Sequence, residues 1–282
     1  MPAIPLFSII LGVAWSSLIE FISLTGGLVL CGFILGYLER LSNRNMVRSF
    51  GIKGIYFTAW LGTPVHELGH AAMCLIFGHR VTGIKLIQAS GADGTIGYVT
   101  HTFNPNSLYQ KIGNFFIGLA PLISGSLAIF LSTYLFVPGS YTLIFHYLGE
   151  KQNFSLFEPT TWDAFVNTVQ SVFASLFFIS HLADLKYWLF FILALCIASH
   201  MSLSPADIRG AASGAGALFL LIAVANALST VLDPPLNSQM TAVIGRFNFC
   251  LLLLLSLAVL FSAMKLLISG LFNWGFHGLK RM

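Results

Sequence analysis

Apolar residues run through this chain in long blocks separated by short polar stretches. A helix that crosses a bilayer needs about 20 mostly apolar residues. Six blocks reach or approach that length: 3–38, 54–77, 108–137, 185–203, 211–232 and about 247–271. The first is too long for one upright span. It reads either as one span near 19–38 behind an interfacial helix or as two spans broken near Glu20. The basic stretch 39-ERLSNRNMVRSFGIK-53 reads as a polar loop after it. The fifth block stops at 233-DPP-235, because proline has no N–H with which to continue the helical ladder.

Two regions break the helical pattern. In 78–107, VTGIKLIQ and TIGYVTHTF are rich in β-branched and aromatic residues and flank the turn-forming SGADG. This predicts a β-hairpin at the membrane surface. Residues 138–184 are mixed, and 163-DAFVNTVQSVFASLFF-178 has the two-faced pattern of an interfacial helix.

Composition agrees with the block pattern. Residues are 56% hydrophobic and 9% charged, with a mean hydropathy of +0.84. Soluble domains carry roughly 25% charge, so this chain lacks the charge to cover a water-facing surface. The expected fold is an all-α polytopic membrane protein of about six transmembrane helices, with a small membrane-associated β-hairpin after the helix at 54–77. It reads as a single membrane domain over 1–282. Within it, 1–53 holds the N-terminal span or spans and the basic loop, 54–210 a core, and 211–282 two C-terminal spans. The N-terminal MPAIPLFSII has neither a basic leader nor a small-residue cleavage site, so it reads as retained sequence. The net charge of +4 is scattered, without a basic run interleaved with aromatics, which argues against nucleic-acid binding. Lysine and arginine flank both ends of the spans, so the positive-inside rule sets no orientation. The four cysteines lack metal or redox spacing and read as buried thiols.

One stretch stands against its surroundings: 63-TPVHELGHAAM-73 puts His66, Glu67 and His70 inside an apolar block. Each ionisable group at lipid depth costs several kcal/mol unless it finds a partner. Thr63 and Pro64 suit the start, or a kink, of a helix that runs to Phe77 with Gly78 as its stop. His66 and His70 are four apart and share a face. The pattern H-E-x-x-H binds zinc through both imidazoles and leaves the glutamate free to act as general base. A shared Zn²⁺ therefore compensates all three groups at once, with Glu67 as the catalytic residue. The bland reading is a polar cluster held by packing. Gly69 fits a close approach by another helix, or is simply a packing glycine.

A catalytic zinc site takes three protein ligands and leaves one position open. After Glu67 the only glutamates are Glu150 and Glu158, both in a polar segment. Asp207, beside Pro205 where the chain must break, is the leading third ligand; alternatively it caps the following helix. His200 is a second candidate, while Asp93, Asp184 and Asp233 are placed less favourably.

These residues resemble the site-2 protease family of intramembrane zinc metalloproteases. The resemblance rests on His66-Glu67-Leu68-Gly69-His70, on 118-GLAPLISGS-126 and on 203-LSPADIRG-210, with GIKLIQ and GTIGYV similar to the family's hairpin. It covers about 60–210. Ala120 and Ser124 stand where the family favours glycine and asparagine, and Asp207 is followed by Ile208-Arg209-Gly210 rather than by glycine at once. The resemblance implies a divergent metalloprotease that hydrolyses peptide bonds of membrane-embedded or membrane-adjacent substrates. His66, His70 and Asp207 would hold zinc, and the 81–103 hairpin would offer an edge to an extended substrate or serve as a surface plug. Asn114 is a candidate for the tetrahedral oxyanion or for substrate contact, against the plainer role of a helix-packing amide. His79 and His101 read as surface or interfacial residues. Two other classes compete: a non-hydrolytic membrane scaffold or regulatory protein that retains a metal site, and an ion transporter. The transporter should show paired broken helices in its two halves, and the sequence offers one such constellation.

Overall fold

The computed structural model describes residues 6–88, 96–149, 155, 157–232 and 234–279. The turn SGADG with Asp93, and Asp233, lie outside the described residues.

Helix α1 (Leu6–Phe50) is continuous over 45 residues. At about 1.5 Å per residue it is about twice as long as the hydrocarbon core is thick. The stretch expected to be a basic loop is therefore mostly the polar end of α1, which stops at Gly51 with a φ of 66°. The break expected near Glu20 does not occur either. Glu20 is buried, and neighbouring helices supply its hydrogen bonds: Asn226 Nδ2 donates at 2.8 Å and Thr241 Oγ1 at 2.9 Å. A carboxylate satisfied in this way has no need to break its helix and reach water.

Helix α2 (Lys53–Ile76) carries the histidine motif and runs through Pro64 rather than starting there. Its stop is the predicted one, with Gly78 at a φ of 69° turning the chain into β1. Strands β1 (Arg80–Lys85) and β2 (Tyr98–Thr102) pair antiparallel as the expected hairpin, with an irregularity between Val81 and Gly83. Then follow α3 (Leu108–Gly118), opened by Ser107 as N-cap, and α4 (Ala120–Phe136). These two are bent by 58° about Leu119. Next come α5 (Pro138–Gly149), α6 (Pro159–Leu176), a 3₁₀ turn (Ile179–Ala183) and α7 (Leu185–Ala198). The long helices α8 (Pro205–Leu232) and α9 (Pro234–Leu279) end the described chain.

Helix α1 lies along α9 and α8, α3 packs on α8, and α2 packs against α4 and α7. The core between them is apolar, with Leu35, Leu122, Phe190, Leu253 and Phe261 fully enclosed. Large apolar side chains also point outward along most helices, among them Phe33, Leu75, Leu131, Leu189 and Leu271. That pattern suits a lipid bilayer, where an exposed leucine costs nothing.

Among the described residues four helices are long and apolar enough to cross a membrane, or five if the bent α3–α4 pair is one span. This is consistent with a polytopic membrane protein, but the set differs from the six expected blocks. α6 with its 3₁₀ turn qualifies although its sequence reads as interfacial. The motif helix α2 does not qualify, because its polar residues dilute its hydropathy, and α7 has only 14 residues.

Replacing Asn226 with leucine leaves Glu20 short of a donor. The expected loss is about 1–3 kcal/mol of stability, read as a lower thermal unfolding temperature in detergent.

Candidate metal centre

Two breaks in helical hydrogen bonding create the site. The residue four positions after Ile117 is Pro121, which has no N–H to give. The Ile117 carbonyl at the α3–α4 bend therefore lacks its helical donor, and His70 Nδ1 bonds to it at 2.8 Å. The His200 carbonyl lies just past the end of α7, where helical donors run out, and His66 Nδ1 bonds to it at 2.7 Å. A carbonyl only accepts, so both Nδ1 atoms must carry the proton in the neutral rings. Both Nε2 atoms are then bare lone pairs.

These lone pairs converge. The two Nε2 atoms are 3.2 Å apart, and His70 Nε2 is 3.2 Å from Asp207 Oδ1. His66 Nε2 is 3.8 Å from Asp207 Oδ2. One ligand atom from each of the three residues lies within 4.8 Å of the others. With only acceptors facing one another, the cluster repels itself unless a cation sits among them. Zn–N distances of about 2.0–2.1 Å in a tetrahedron place two nitrogens about 3.3 Å apart. The donor set and its spacing therefore fit a metal ion such as Zn²⁺, and His66, His70 and Asp207 could hold it. Their side chains are 16%, 9% and 13% exposed, so the cluster is largely dry but reachable.

Asp207 is fixed by its helix start. Its Oδ2 accepts the Ser204 backbone N–H at 2.7 Å, and its own N–H donates to Ser204 Oγ at 3.1 Å. This is a reciprocal capping box at the N-terminus of α8. The capping carboxylate thus uses Oδ2 for the Ser204 N–H and leaves Oδ1 toward the two imidazoles.

The other candidates fall apart from it. The His200 ring faces away, its Nε2 3.0 Å from Thr58 Oγ1. Its contribution is the backbone oxygen that aims His66. Asp184 caps α7 by accepting the Lys186 N–H at 2.9 Å. Glu158 precedes the first turn of α6.

Glu67 is buried beside the cluster and lines the same cavity of about 300 Å³ as His66, His70, Asp207 and Asn114. Asn114 is buried on α3, and its amide has no hydrogen-bond partner among the described residues. The hairpin closes over this cavity. Gly97, just before β2, lies so near α2 that a Cβ there would sit 2.9 Å from Glu67 Cγ and 2.8 Å from Thr63 Cγ2. A second polar cavity of about 220 Å³ opens on the other side of Glu67, toward Glu39, His200 and Ser202.

The motif helix is held from several sides. Thr58, Gly62 and His66, four apart, form one stripe on which His200 rests: its ring bonds Thr58, packs on Gly62, and its carbonyl takes His66. A Cβ on Gly62 would sit 2.6 Å from His200 Cδ2 and collide with the Cys196 carbonyl. On another face Gly69 lies directly against Ser124, so the close helix approach read from the sequence is present. Ser124 Oγ donates to the Val65 carbonyl at 3.1 Å. Lys265 of α9 reaches in to donate to Thr58 Oγ1 at 3.4 Å and to Asn43 Oδ1 at 3.1 Å.

Sequence reasoning missed this outer layer. Lys265 and Glu39 carried a usable signal, being ionisable residues in or beside apolar blocks. The roles of the Ile117 and His200 carbonyls did not, because every residue has a carbonyl. His79, expected as a surface or interfacial residue, is buried between the hairpin and α3. Its Nε2 is 2.9 Å from the Gln110 carbonyl, and its ring stacks on Phe103.

The chain matches no family model, no curated protein and no solved structure.

Changing Gly62 to alanine should cost about 1–3 kcal/mol, because the added methyl forces α2 and the end of α7 apart. Thermal unfolding beside Gly139→Ala, where nothing lies within 4 Å, checks it. The Gly139 variant should be neutral or slightly stabilised.

Proposed function

We propose that this chain is a zinc-dependent membrane metalloendopeptidase that resembles the site-2 protease family and hydrolyses peptide bonds of membrane-embedded or membrane-adjacent substrates. The observation that carries the reading is the convergence of His66, His70 and Asp207 with Glu67 held beside them and off the cluster. A structural metal site has no use for a carboxylate in its open cavity; a hydrolytic one needs a base there.

His66, His70 and Asp207 hold the ion, with both imidazoles oriented through Nδ1 by backbone carbonyls, as metal-binding histidines require. When bound, zinc polarises a carbonyl and lowers the pKa of a water toward about 7. Glu67 accepts the proton of the attacking water on its carboxylate as the new C–O bond forms. It then returns that proton to the amine nitrogen as the C–N bond breaks. The Asn114 amide, turned into the cavity, donates to the oxygen that becomes negative. A helical substrate hides its carbonyls in its own hydrogen bonds, so a segment must be extended before attack. Strand β2 borders the cavity and supplies a strand edge against which such a segment can lie. Gly97 lets that strand approach Glu67.

Glu67→Gln should abolish cleavage, at least a thousandfold down, while zinc stays bound at one per chain. Single-turnover cleavage of a reconstituted substrate and metal analysis of the purified protein read the two effects. Unchanged cleavage would remove the enzymatic reading and leave a scaffold or regulatory protein with a metal site. Asp207→Ala should drop zinc below stoichiometry, whereas zinc equal to wild type would remove Asp207 as a ligand. Stripping the metal with a chelator should stop cleavage, and adding back zinc should restore it.

A further inference from the structure

One polar ring in the cavity has no part in the mechanism above. His101 stands on β2, lines the cavity beside His70 and Glu67, and is half-buried. Its protonation pattern can be read from its neighbours. The Gln110 carbonyl takes a hydrogen bond from His79 Nε2 at 2.9 Å, so that nitrogen carries the proton. His79 Nδ1 is then a lone pair in the neutral ring. It lies 3.1 Å from His101 Nδ1, which must therefore carry a proton and donate. What remains is His101 Nε2, a bare acceptor.

The relay is held firmly. His79 stacks on Phe103, and its backbone N–H bonds the Cys74 carbonyl at 2.8 Å. Gln110, whose carbonyl anchors the chain of bonds, is itself tied through its side chain to the Gly78 carbonyl at 2.9 Å and the Asn104 N–H at 2.6 Å. Burial and the adjacent His79 hold the His101 imidazole below its ordinary value, which keeps the acceptor form. A ring placed only for packing would need neither this ordering of protons nor a free nitrogen at the cavity.

Of the cavity's other polar groups, Ser204 is tied up in the Asp207 cap, Tyr98 is exposed and offers a rotatable hydroxyl rather than a fixed lone pair, and the rest have work already. The two metal-facing imidazoles and Asp207 turn to the cation, Glu67 to the water and Asn114 to the oxyanion. A peptide in the cavity also brings backbone N–H groups, and a buried N–H left unpaired costs about 1–3 kcal/mol. Val99 and His101, two apart on β2, face the cavity together, as an apolar wall beside an acceptor.

We propose that His101 is a substrate-binding residue whose Nε2 accepts a backbone N–H of an extended peptide, with His79 as the positioning residue that fixes its tautomer. This inference rests on the hydrolase reading for the identity of the ligand class. The test uses zinc-loaded protein carrying Glu67→Gln, in lipid nanodiscs, so that binding is read without turnover. The probe is a fluorescein-labelled peptide of alternating threonine and valine, which favours an extended chain, followed by fluorescence anisotropy.

Adding His101→Leu should weaken binding about tenfold, the loss of one good hydrogen bond. His101→Gln, whose amide oxygen can accept, should recover most of it. N-methylating the peptide at successive positions should find one N–H whose removal weakens binding to the Glu67→Gln parent but not to its His101→Leu derivative. His79→Phe keeps the stack and removes the relay, so it should weaken binding several-fold with zinc content unchanged. Nitrogen-15 spectra of labelled histidine should show His101 Nε2 unprotonated in the parent and protonated at either nitrogen in the His79→Phe variant. Equal affinity of parent and His101→Leu, each with full zinc, would overturn the proposal, as would no saturable binding to the parent. If the wild type cleaves and Glu67→Gln does not, either result removes His101 and leaves the protease standing. Binding that depends on His101, with no cleavage by wild type, removes the protease and keeps the peptide site.

Discussion

Two imidazole nitrogens 3.2 Å apart, each bare in the neutral ring because a carbonyl behind it takes the other nitrogen's proton, face a carboxylate oxygen. Such an arrangement is repulsive in water and more so in an apolar interior, where charge is weakly screened. Positive charge among these atoms would relieve the repulsion, and four parts of the fold bring the groups together. α2 brings both rings on one face, α8 brings the carboxylate at its first turn, and the α3–α4 bend and the end of α7 bring the carbonyls.

The carbonyls come from places where helices fail. Backbone polar groups in an apolar setting must find partners inside the protein, and a proline or a helix end leaves some of them free. Here Pro121 frees the Ile117 oxygen, and the exhausted α7 frees that of His200. Both are consumed by orienting a histidine. The same economy appears at Asp207, which satisfies the N–H of Ser204 while keeping one oxygen for the cluster.

Polar groups elsewhere follow the same rule by other means. Glu20 draws donors from α8 and α9, and Lys265 draws acceptors from α1 and α2. Each ties together helices that would otherwise meet only through apolar packing, which gives little specificity between helices in lipid. The Lys265 link also connects α9 to the His66–His70–Asp207 cluster through two residues, Thr58 and His200. The C-terminal helix, which lies outside the stretch of resemblance, thereby becomes part of the support of the site.

The sequence alone determined the membrane class, the hairpin, the shared face of His66 and His70, and Asp207 as the leading partner. Each depends on local quantities: block hydropathy, strand propensity, helical spacing, and an ionisable residue beside a proline. The same local reading misplaced helix ends. Glu20 and the polar 39–50 stretch look like breaks until their partners on other helices, or the length of α1, are known. It left open whether Asp207 caps its helix, which the fold shows it does while facing both imidazoles, and it did not foresee the burial of His79. Only the tertiary structure decided which carbonyls aim the imidazoles, that His200 contributes an oxygen and not a ring, and that His101 lines the cavity with no partner for its Nε2 among the described residues. Those facts turn on hydrogen bonds between residues up to 142 positions apart, and composition and periodicity carry no information about which distant helices meet.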